Sequence, residues 1–329
     1  MIQNNKKRAT IRDVAKLANV SVATVSRFLN GKKEKMTAQT AATIADAIEK
    51  LKYVPNSAAR EMSNNSSKIV AVLIANLADY FSTEIFEGAS KKLEAAGYIP
   101  VLLNTDSDQR HEQQLLNSIN LHGFDGLLFQ PLNSDTKVIK EELTRDFPVV
   151  ILDRKLNRSE WPQVITDNYD ASKNATEQFM QSGYKHIVVL SSTIEVASTR
   201  RDRFKAIQDT ASDIDVVEID ELNFNHEEVY KKLKAKLTVN KKSLLFSLKE
   251  RWLLEFLPEL MKDNIISKEQ CMVTGFADTK LIKSICPYAK VISQNPSYMG
   301  EQAAELLLRM LNNDEHVPET LVIKAKFKE

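Results

Sequence analysis

The sequence predicts a small all-α helix-turn-helix headpiece followed by a larger two-lobed α/β core with doubly wound parallel sheets. Two short amphipathic helical patterns joined by a tight turn occupy residues 10–30. From residue 69 to the end, apolar runs of strand length alternate with helical patterns. Such alternation is typical of parallel sheets whose strands are buried between helices. With 329 residues, the chain has room for the headpiece and for two α/β lobes.

Polar residues mark where each headpiece helix begins. Thr10 can cap the first helix, and Asp13 favours the positive end of that helix. Asn19 is the expected turn residue, because Asn tolerates left-handed backbone geometry. Ser21 and Thr37 are expected to cap the second and third helices. Three helices closing on one apolar core form an independent unit of marginal size.

The headpiece is basic while the rest of the chain is mildly acidic. Residues 1–62 contain 12 Lys and Arg against 5 Asp and Glu, so they carry +7. The whole chain carries only +1, so the remaining residues carry −6. A basic module on an acidic body is the expected footprint of binding to a phosphate backbone. The alternative is that these lysines and arginines only solvate the surface, which the helix-turn-helix pattern disfavours.

The headpiece resembles the DNA-binding segment of the LacI/GalR family of bacterial repressors. The long matching pattern starts at Thr10-Ile-Arg-Asp-Val-Ala and passes through Thr-Val-Ser-Arg27 to Tyr53 and Pro55. Two positions depart from it: Asn19 replaces the turn glycine and Met62 replaces the usual leucine. The resemblance extends over essentially the whole chain, with looser motifs in the body. It implies a periplasmic-binding-protein-like core in which the chain crosses between the lobes three times.

The resemblance also implies which residues contact DNA. Val22, Ala23 and Arg27 would read base edges in the major groove, where Arg suits a bidentate contact to guanine. Simple helix filling is the alternative for Val22 and Ala23. The segment 56–63 would be a hinge helix that orders on DNA, with Met62 as an apolar wedge in the minor groove; a plain linker residue is the alternative. The other expected DNA-contacting residues are Thr10, Ser21, Thr24, Ser26, Asn30, Tyr53, Asn56, Ala59 and Arg60.

The expected division of the chain follows these patterns. The headpiece takes residues 1–55, the hinge helix and linker 56–68, and the core 69–329. The N-lobe would comprise about 69–165 and 295–317, and the C-lobe about 166–292 and 319–329. The crossings are expected near 164–167, 291–295 and 317–321, and a last strand is expected at 321–327.

A ligand is expected in the cleft beyond the carboxyl ends of the strands. Tyr80 and Phe81 could stack on a sugar face, and Ser82 could bind an oxygen at a helix start; core packing is the alternative, chiefly for Phe81. By resemblance, Asp153, Arg154, Asp167 and Arg203 occupy pocket positions, with structural ion pairing as their alternative. The expected pocket is completed by Arg200, Leu248, Lys249 and Asp278.

Departures from the family pattern indicate the charge of that ligand. The family commonly has Asn-Asp where this chain has Leu248-Lys249, and two acidic residues where it has Ala277-Asp278. With Arg154 and two further arginines nearby, the pocket is expected to be cationic. We therefore expect an anionic effector such as a sugar acid or a sugar phosphate. The loop around Tyr80 also resembles regulators of ketodeoxygluconate and hexuronate use.

The sequence predicts a homodimeric, cytoplasmic transcriptional regulator, more specifically a repressor, that binds a pseudo-palindromic double-stranded operator. The chain has no apolar leader and only two cysteines, which argues against a secreted binding protein. One alternative is a carbon-catabolite regulator that responds to a phosphocarrier protein. A sugar-converting enzyme is more remote, because the five His residues lack metal-site spacing and no phosphate loop or nucleophile elbow occurs. No cofactor and no metal are expected.

Overall fold

A computed structural model describes residues 9–29, 36–53, 66–314 and 316–328. The chain divides into two compact units, Met1–Ser67 and Lys68–Glu329. Five of the expected DNA-contacting residues and the expected hinge helix lie outside the described residues: Asn30, Asn56, Ala59, Arg60 and Met62.

The headpiece contains three helices around one small core. They are α1 (Ile11–Leu17), α2 (Val22–Leu29) and α3 (Ala38–Leu51). The core consists of apolar side chains from all three helices and their connections: Val14, Ala15, Ala18, Val25, Ile44 and Ala47. The predicted helix-turn-helix is therefore confirmed.

The helix starts in the headpiece are capped as the sequence indicates. Thr10 and Asp13 form a reciprocal capping box, in which the Thr10 N–H donates to Asp13 Oδ2 at 2.8 Å. The hydroxyl of Ser21 accepts from the Thr24 N–H at 3.1 Å, and Thr37 caps α3 in the same way. Asn19 takes the left-handed conformation with φ 51°, which Asn accommodates better than most residues.

The first lobe of the body is a parallel six-stranded sheet with helices on both faces. Its elements are β1 (Ile69–Ile74), α4 (Tyr80–Ala95), β2 (Ile99–Asn104), α5 (Gln109–Leu121), β3 (Gly126–Phe129), α6 (Thr136–Glu142), β4 (Val149–Asp153), β5 (Gln163–Thr166), α12 (Pro296–Leu311) and β11 (Thr320–Ile323). The strand order is β11-β5-β4-β3-β1-β2. Alternate residues of β1 face opposite sides of this sheet: Val72 packs towards α4 and α12, and Leu73 towards α5 and α6.

The second lobe is a six-stranded sheet in the order β12-β10-β9-β8-β6-β7, in which only β12 is antiparallel. Helices again cover both faces, with separate apolar clusters on the two sides. The elements are α7 (Asn168–Gln181), β6 (His186–Ser192), α8 (Ser198–Thr210), β7 (Asp213–Ile219), α9 (His226–Leu237), β8 (Ser243–Ser247), α10 (Glu250–Lys262), β9 (Cys271–Phe276), α11 (Leu281–Ile285), β10 (Lys290–Ser293) and β12 (Lys326–Lys328).

The chain passes between the lobes at three places, and the expected position of the third was wrong. The first passage lies between β5 and α7, and the second between β10 and α12. The third lies at residues 324–325, because β11 pairs with β5 in the first lobe. The single strand expected at 321–327 is two strands in different sheets. The alternating pattern continues across the short break, so periodicity alone does not reveal it.

Two glycines allow α4 and α12 to pack closely in the first lobe. A Cβ on Gly300 would lie 2.0 Å from the Ile85 carbonyl oxygen, and one on Gly88 would meet the Ser297 carbonyl oxygen at 1.8 Å. Backbone atoms cannot yield as a side chain can, so the helices must separate if a methyl group is added.

Gly300→Ala is therefore expected to lower the free energy of unfolding of the body by about 1–3 kcal/mol, despite the better helix propensity of Ala. Gly126→Ala is the matched control, because its nearest contact is the flexible Leu307 side chain at 3.0 Å. Urea unfolding of both variants measures the difference. Equal stability of Gly300→Ala and the unaltered protein would contradict the packing argument.

Candidate functional site

Helix α2 presents a surface of small side chains and one cation. Ser21, Val22, Ala23 and Arg27 are exposed, whereas Val25 is fully buried. Val22 is 42% exposed although it is apolar. Small side chains let a helix backbone approach a groove closely, and Arg can reach base edges or phosphates. This surface has the shape and charge that a recognition helix needs.

The other residues expected to contact DNA make hydrogen bonds or packing contacts within the headpiece itself. Thr24 and Ser26 are half-buried on α2, and the Thr24 hydroxyl bonds to that of Ser21 at 2.9 Å. Thr10 is exposed, but its hydroxyl donates to Asp13 at 2.7 Å. Tyr53 packs against the headpiece core. Contact between these four residues and DNA remains a prediction.

In the body, a cleft opens where the carboxyl ends of strands from both lobes face each other. It contains two adjoining cavities, of about 40 Å³ and 140 Å³. Arg154 and Arg200 line both of them. Ligands of open α/β sheets bind at these strand ends, because loops rather than strand backbone meet there. The smaller cavity is lined by Asp79, Phe81, Gln130, Asp153, Arg154, Thr199, Arg200, Arg203, Leu248, Lys249, Glu250, Phe276, Asp278 and Gln294.

Arg203 is the most deeply held cation of the cleft. Its Nε donates to Asn168 Oδ1 at 2.7 Å and its Nη1 to the Leu248 carbonyl at 2.6 Å. Its guanidinium lies 3.6 Å from the centre of the Phe276 ring. Burial lowers the pKa of Arg203 to about 10, so the side chain remains charged at neutral pH. Arg203 therefore fixes the cleft wall formed by α7, α8 and the end of β8.

Arg200 and Lys249 converge on one carboxylate, that of Glu221. Lys249 Nζ lies 3.1 Å and Arg200 Nη1 3.2 Å from Glu221 Oε1. Burial alone would raise the pKa of Glu221, but Lys249, a hydrogen bond from Ser192 and Arg200 together lower it to about 2. Glu221 is therefore ionised at any physiological pH.

A hydrogen-bond chain positions the carboxylate of Asp153 at the end of β4. Ser82 donates to Gln130 Oε1 at 3.2 Å, and Gln130 Nε2 donates to Asp153 Oδ2 at 3.0 Å. Asp153 has φ 62°, in the left-handed region that a residue with a Cβ seldom adopts. Within the described part of the chain, Asp153 Oδ1 and Arg200 Nε are buried without a hydrogen-bond partner. Buried polar atoms normally have a hydrogen-bond partner, so these two atoms are candidates for contact with a ligand.

Of the expected pocket residues, Tyr80 and Asp167 line neither cavity, and Asp278, which lines the smaller one, also bonds to backbone at a passage between the lobes. Tyr80 is 48% exposed and does not line either cavity. Asp167 accepts from the Ala325 N–H at 2.7 Å and so ties the first passage between lobes to the third. Asp278 accepts from the Gln294 N–H at 2.9 Å and the Asn295 N–H at 3.0 Å at the second passage. Asp167 and Asp278 therefore stabilise the hinge between the lobes.

The expectation of a cationic pocket was wrong. The smaller cavity is lined by four basic residues and also by four acidic ones: Arg154, Arg200, Arg203 and Lys249 against Asp79, Asp153, Glu250 and Asp278. Glu221 and Asp220 line the larger cavity. Sequence reasoning missed Asp79, Gln130, Glu221, Glu250 and Gln294. Gln130 directly follows β3, so the rule of strand carboxyl ends could have found it.

Glu112 is a buried carboxylate that bonds to the loop after β3, which lines the cleft. It is 3% exposed in the first turn of α5, and its carboxylate accepts from the Leu132 N–H at 2.7 Å. Burial, only partly offset by that bond and by Arg154, raises its pKa from 4.5 to about 7. As pH rises through this window, the unfolded chain loses its proton before the folded protein does. The folded protein thus loses relative stability.

We expect the free energy of unfolding of the body to contain a component that falls as pH rises from 4.5 to about 7. Glu112→Gln should remove that component, because its amide does not titrate. Urea unfolding across this pH range, with the exposed Glu94→Gln as the control, measures the slope. An unchanged slope in Glu112→Gln would contradict the assignment.

Comparisons with known proteins match both units. Residues 10–56 match the family model "Bacterial regulatory proteins, lacI family", and residues 66–229 match "Periplasmic binding proteins and sugar binding domain of LacI family". The regulator KdgR of Bacillus subtilis is 27% identical over 326 residues, which cover 96% of this chain and 95% of that protein.

Solved structures show the same relationship. A LacI transcriptional regulator from Lactobacillus brevis is 43% identical with a TM-score of 0.76, over 79% of this chain and 100% of that one. The lac repressor dimer bound to operator and the anti-inducer ONPF has a TM-score of 0.83 over 98% of both chains at 18% identity, which supports the fold. No helix in the described ranges is long and apolar enough to span a membrane. The chain belongs to the LacI family of DNA-binding transcriptional regulators.

Proposed function

We propose that this regulator represses a carbohydrate-catabolism operon and responds to an anionic sugar derivative, a sugar acid or a sugar phosphate, bound between its lobes. The observation that carries the proposal is the pair of unpartnered buried atoms, Arg200 Nε and Asp153 Oδ1. One is a charged donor and the other a charged acceptor. A ligand satisfies both when it offers an oxygen acceptor to Arg200 and a hydroxyl donor to Asp153, and a sugar acid supplies both, with its anionic oxygen as the stronger partner of the guanidinium.

The size of the cleft is consistent with entry by opening of the lobes. The cavity of about 40 Å³ holds little more than one water, so a sugar must enter as the lobes separate. The cavity of about 140 Å³ adjoins it through Arg154 and Arg200, so one ligand can contact both. The matched family model describes a sugar-binding domain, and the relative KdgR covers nearly the whole chain.

For DNA, we propose a homodimer that places two headpieces on a pseudo-palindromic operator. The exposed face of α2 supports this role, with Arg27 towards bases and Val22 and Ala23 towards the groove floor. The hinge helix and its Met62 wedge remain predictions from the sequence. Selection of bound duplexes from a random pool tests the proposal. A palindromic consensus is expected, and recovery of no consensus would overturn it.

Titration calorimetry with neutral sugars, sugar acids and sugar phosphates tests the effector class. We expect an anionic sugar to bind, and Arg200→Gln to weaken it by about 10-fold or more, because a charged hydrogen bond is lost. Lys205→Gln, an exposed cation on the same helix, is the matched control. Tight binding of a neutral sugar with no response to Arg200→Gln would reject an anionic effector.

A further inference from the structure

We propose that the Glu221 carboxylate occupies the anion subsite that the effector carboxylate takes on binding. The two carboxylates therefore compete for the same basic side chains. This inference rests on the proposed function, an anionic effector. It adds a residue that determines specificity and narrows the ligand class to carboxylates.

The first argument is the geometry of the subsite. Glu221 follows β7, and its side chain is only 10% exposed. Lys249 Nζ approaches its two oxygens at 3.1 and 3.2 Å, and Arg200 Nη1 approaches Oε1 at 3.2 Å. Two basic side chains from different elements thus converge on a single carboxylate within the cleft. An effector carboxylate that reaches Arg200 must share or take these donors.

The second argument is that the same carboxylate joins the lobes. Ser107, which follows β2 of the first lobe, donates to Glu221 Oε2 at 3.1 Å. Lys249 Nζ also lies 3.4 Å from Asp79 Oδ2, again in the first lobe. Displacement of Glu221 by a ligand therefore removes one connection between the lobes. Binding of the effector and loosening of the lobes become coupled at one residue.

The third argument concerns the shape of the ligand. The subsite accommodates a planar group with one negative charge and two oxygens, and it surrounds this group with donors from Lys249, Arg200 and Ser107. The carboxylate of a sugar acid has the same shape and charge as that of Glu221, so it fits this arrangement of donors in place of Glu221. A tetrahedral phosphate with nearly two charges does not. We therefore expect sugar acids to bind in preference to sugar phosphates.

The experiment compares the unaltered full-length protein with Glu221→Gln and with the control Glu227→Gln, an exposed glutamate in the first turn of α9 that lines neither cavity. The calorimetric probes are D-gluconate, D-galacturonate, glucose 6-phosphate and D-glucose. We expect Glu221→Gln to bind a sugar acid roughly 10-fold more tightly, because like charges no longer face each other. Affinity for glucose should not change, and Glu227→Gln should behave as the unaltered protein.

Four outcomes would count against the proposal in distinguishable ways. If the unaltered protein binds a sugar acid and Glu221→Gln binds it no more tightly, the inference fails and the proposed function stands. If only glucose 6-phosphate binds, the inference again fails and the proposed function stands, and if no anionic sugar binds either protein, both fail. A ligand-free measurement tests the connection separately: hydrogen exchange at residues 104–108 and 219–222 should accelerate in Glu221→Gln but not in Glu227→Gln. Unchanged exchange would show that Glu221 does not join the lobes.

Discussion

Arg203→Ala is expected to destabilise the body by about 3 kcal/mol or more. The substitution leaves Asn168 Oδ1 and the Leu248 carbonyl without their donor, and it opens a void over the Phe276 ring. Unsatisfied buried acceptors and lost packing act in the same direction. Asp153 and the neighbouring acids also lose a buried counter-charge. Urea unfolding of the full-length protein measures the loss.

Lys205→Ala on the same helix is the matched control for this change, since its side chain is exposed. It should alter stability by no more than about 0.5 kcal/mol. A loss below about 1 kcal/mol in Arg203→Ala would contradict the view that this guanidinium fixes the cleft wall.

Val25→Asp is expected to abolish DNA binding by unfolding the headpiece, while the body keeps its unfolding midpoint. Val25 is fully buried in a core of only a few side chains. Burying an unpaired carboxylate costs several kcal/mol, which exceeds what so small a unit can lose. Gel-shift titration and hydrogen exchange in the headpiece report the two effects separately.

Val22→Asp is the informative counterpart, because Val22 lies on the exposed face of the same helix. It should weaken DNA binding by charge repulsion with phosphates while headpiece amides stay protected from exchange. Protection that persists in Val25→Asp, or DNA binding that is unaffected by Val22→Asp, would contradict the assignment of the two faces of α2.

Local signals made the headpiece predictable from sequence. The caps at Thr10 and Thr37 and the turn at Asn19 depend on residues within one helical turn, and all three are confirmed. Other elements lack such signals. Strand β7 is rich in acidic residues along one edge of its sheet, and α10 contains Pro258, which argues against a helix.

The cleft was predictable only in part. The resemblance to the family pattern pointed to Asp153, Arg154 and Lys249, and all three line the smaller cavity. Glu221 was not among the expected pocket residues, because the acidic residues of the preceding strand β7 interrupt the apolar run that marks a buried strand. Since the pairing of Glu221 with two cations depends on tertiary contacts, the charge of the pocket was misjudged. Side-chain charge along one element does not determine the charge of a site built from many.

The most direct test of the account is the affinity of the full-length protein for a selected operator duplex, measured by fluorescence anisotropy with and without a saturating sugar acid. Coupling between cleft and headpiece predicts a change of at least about fivefold, and the duplex must change the affinity for the acid by the same factor. Neutral sugars that do not bind in the cleft should leave the affinity for the operator unchanged. Equal operator affinity with and without every ligand that occupies the cleft would contradict the central claim that a cleft ligand controls DNA binding.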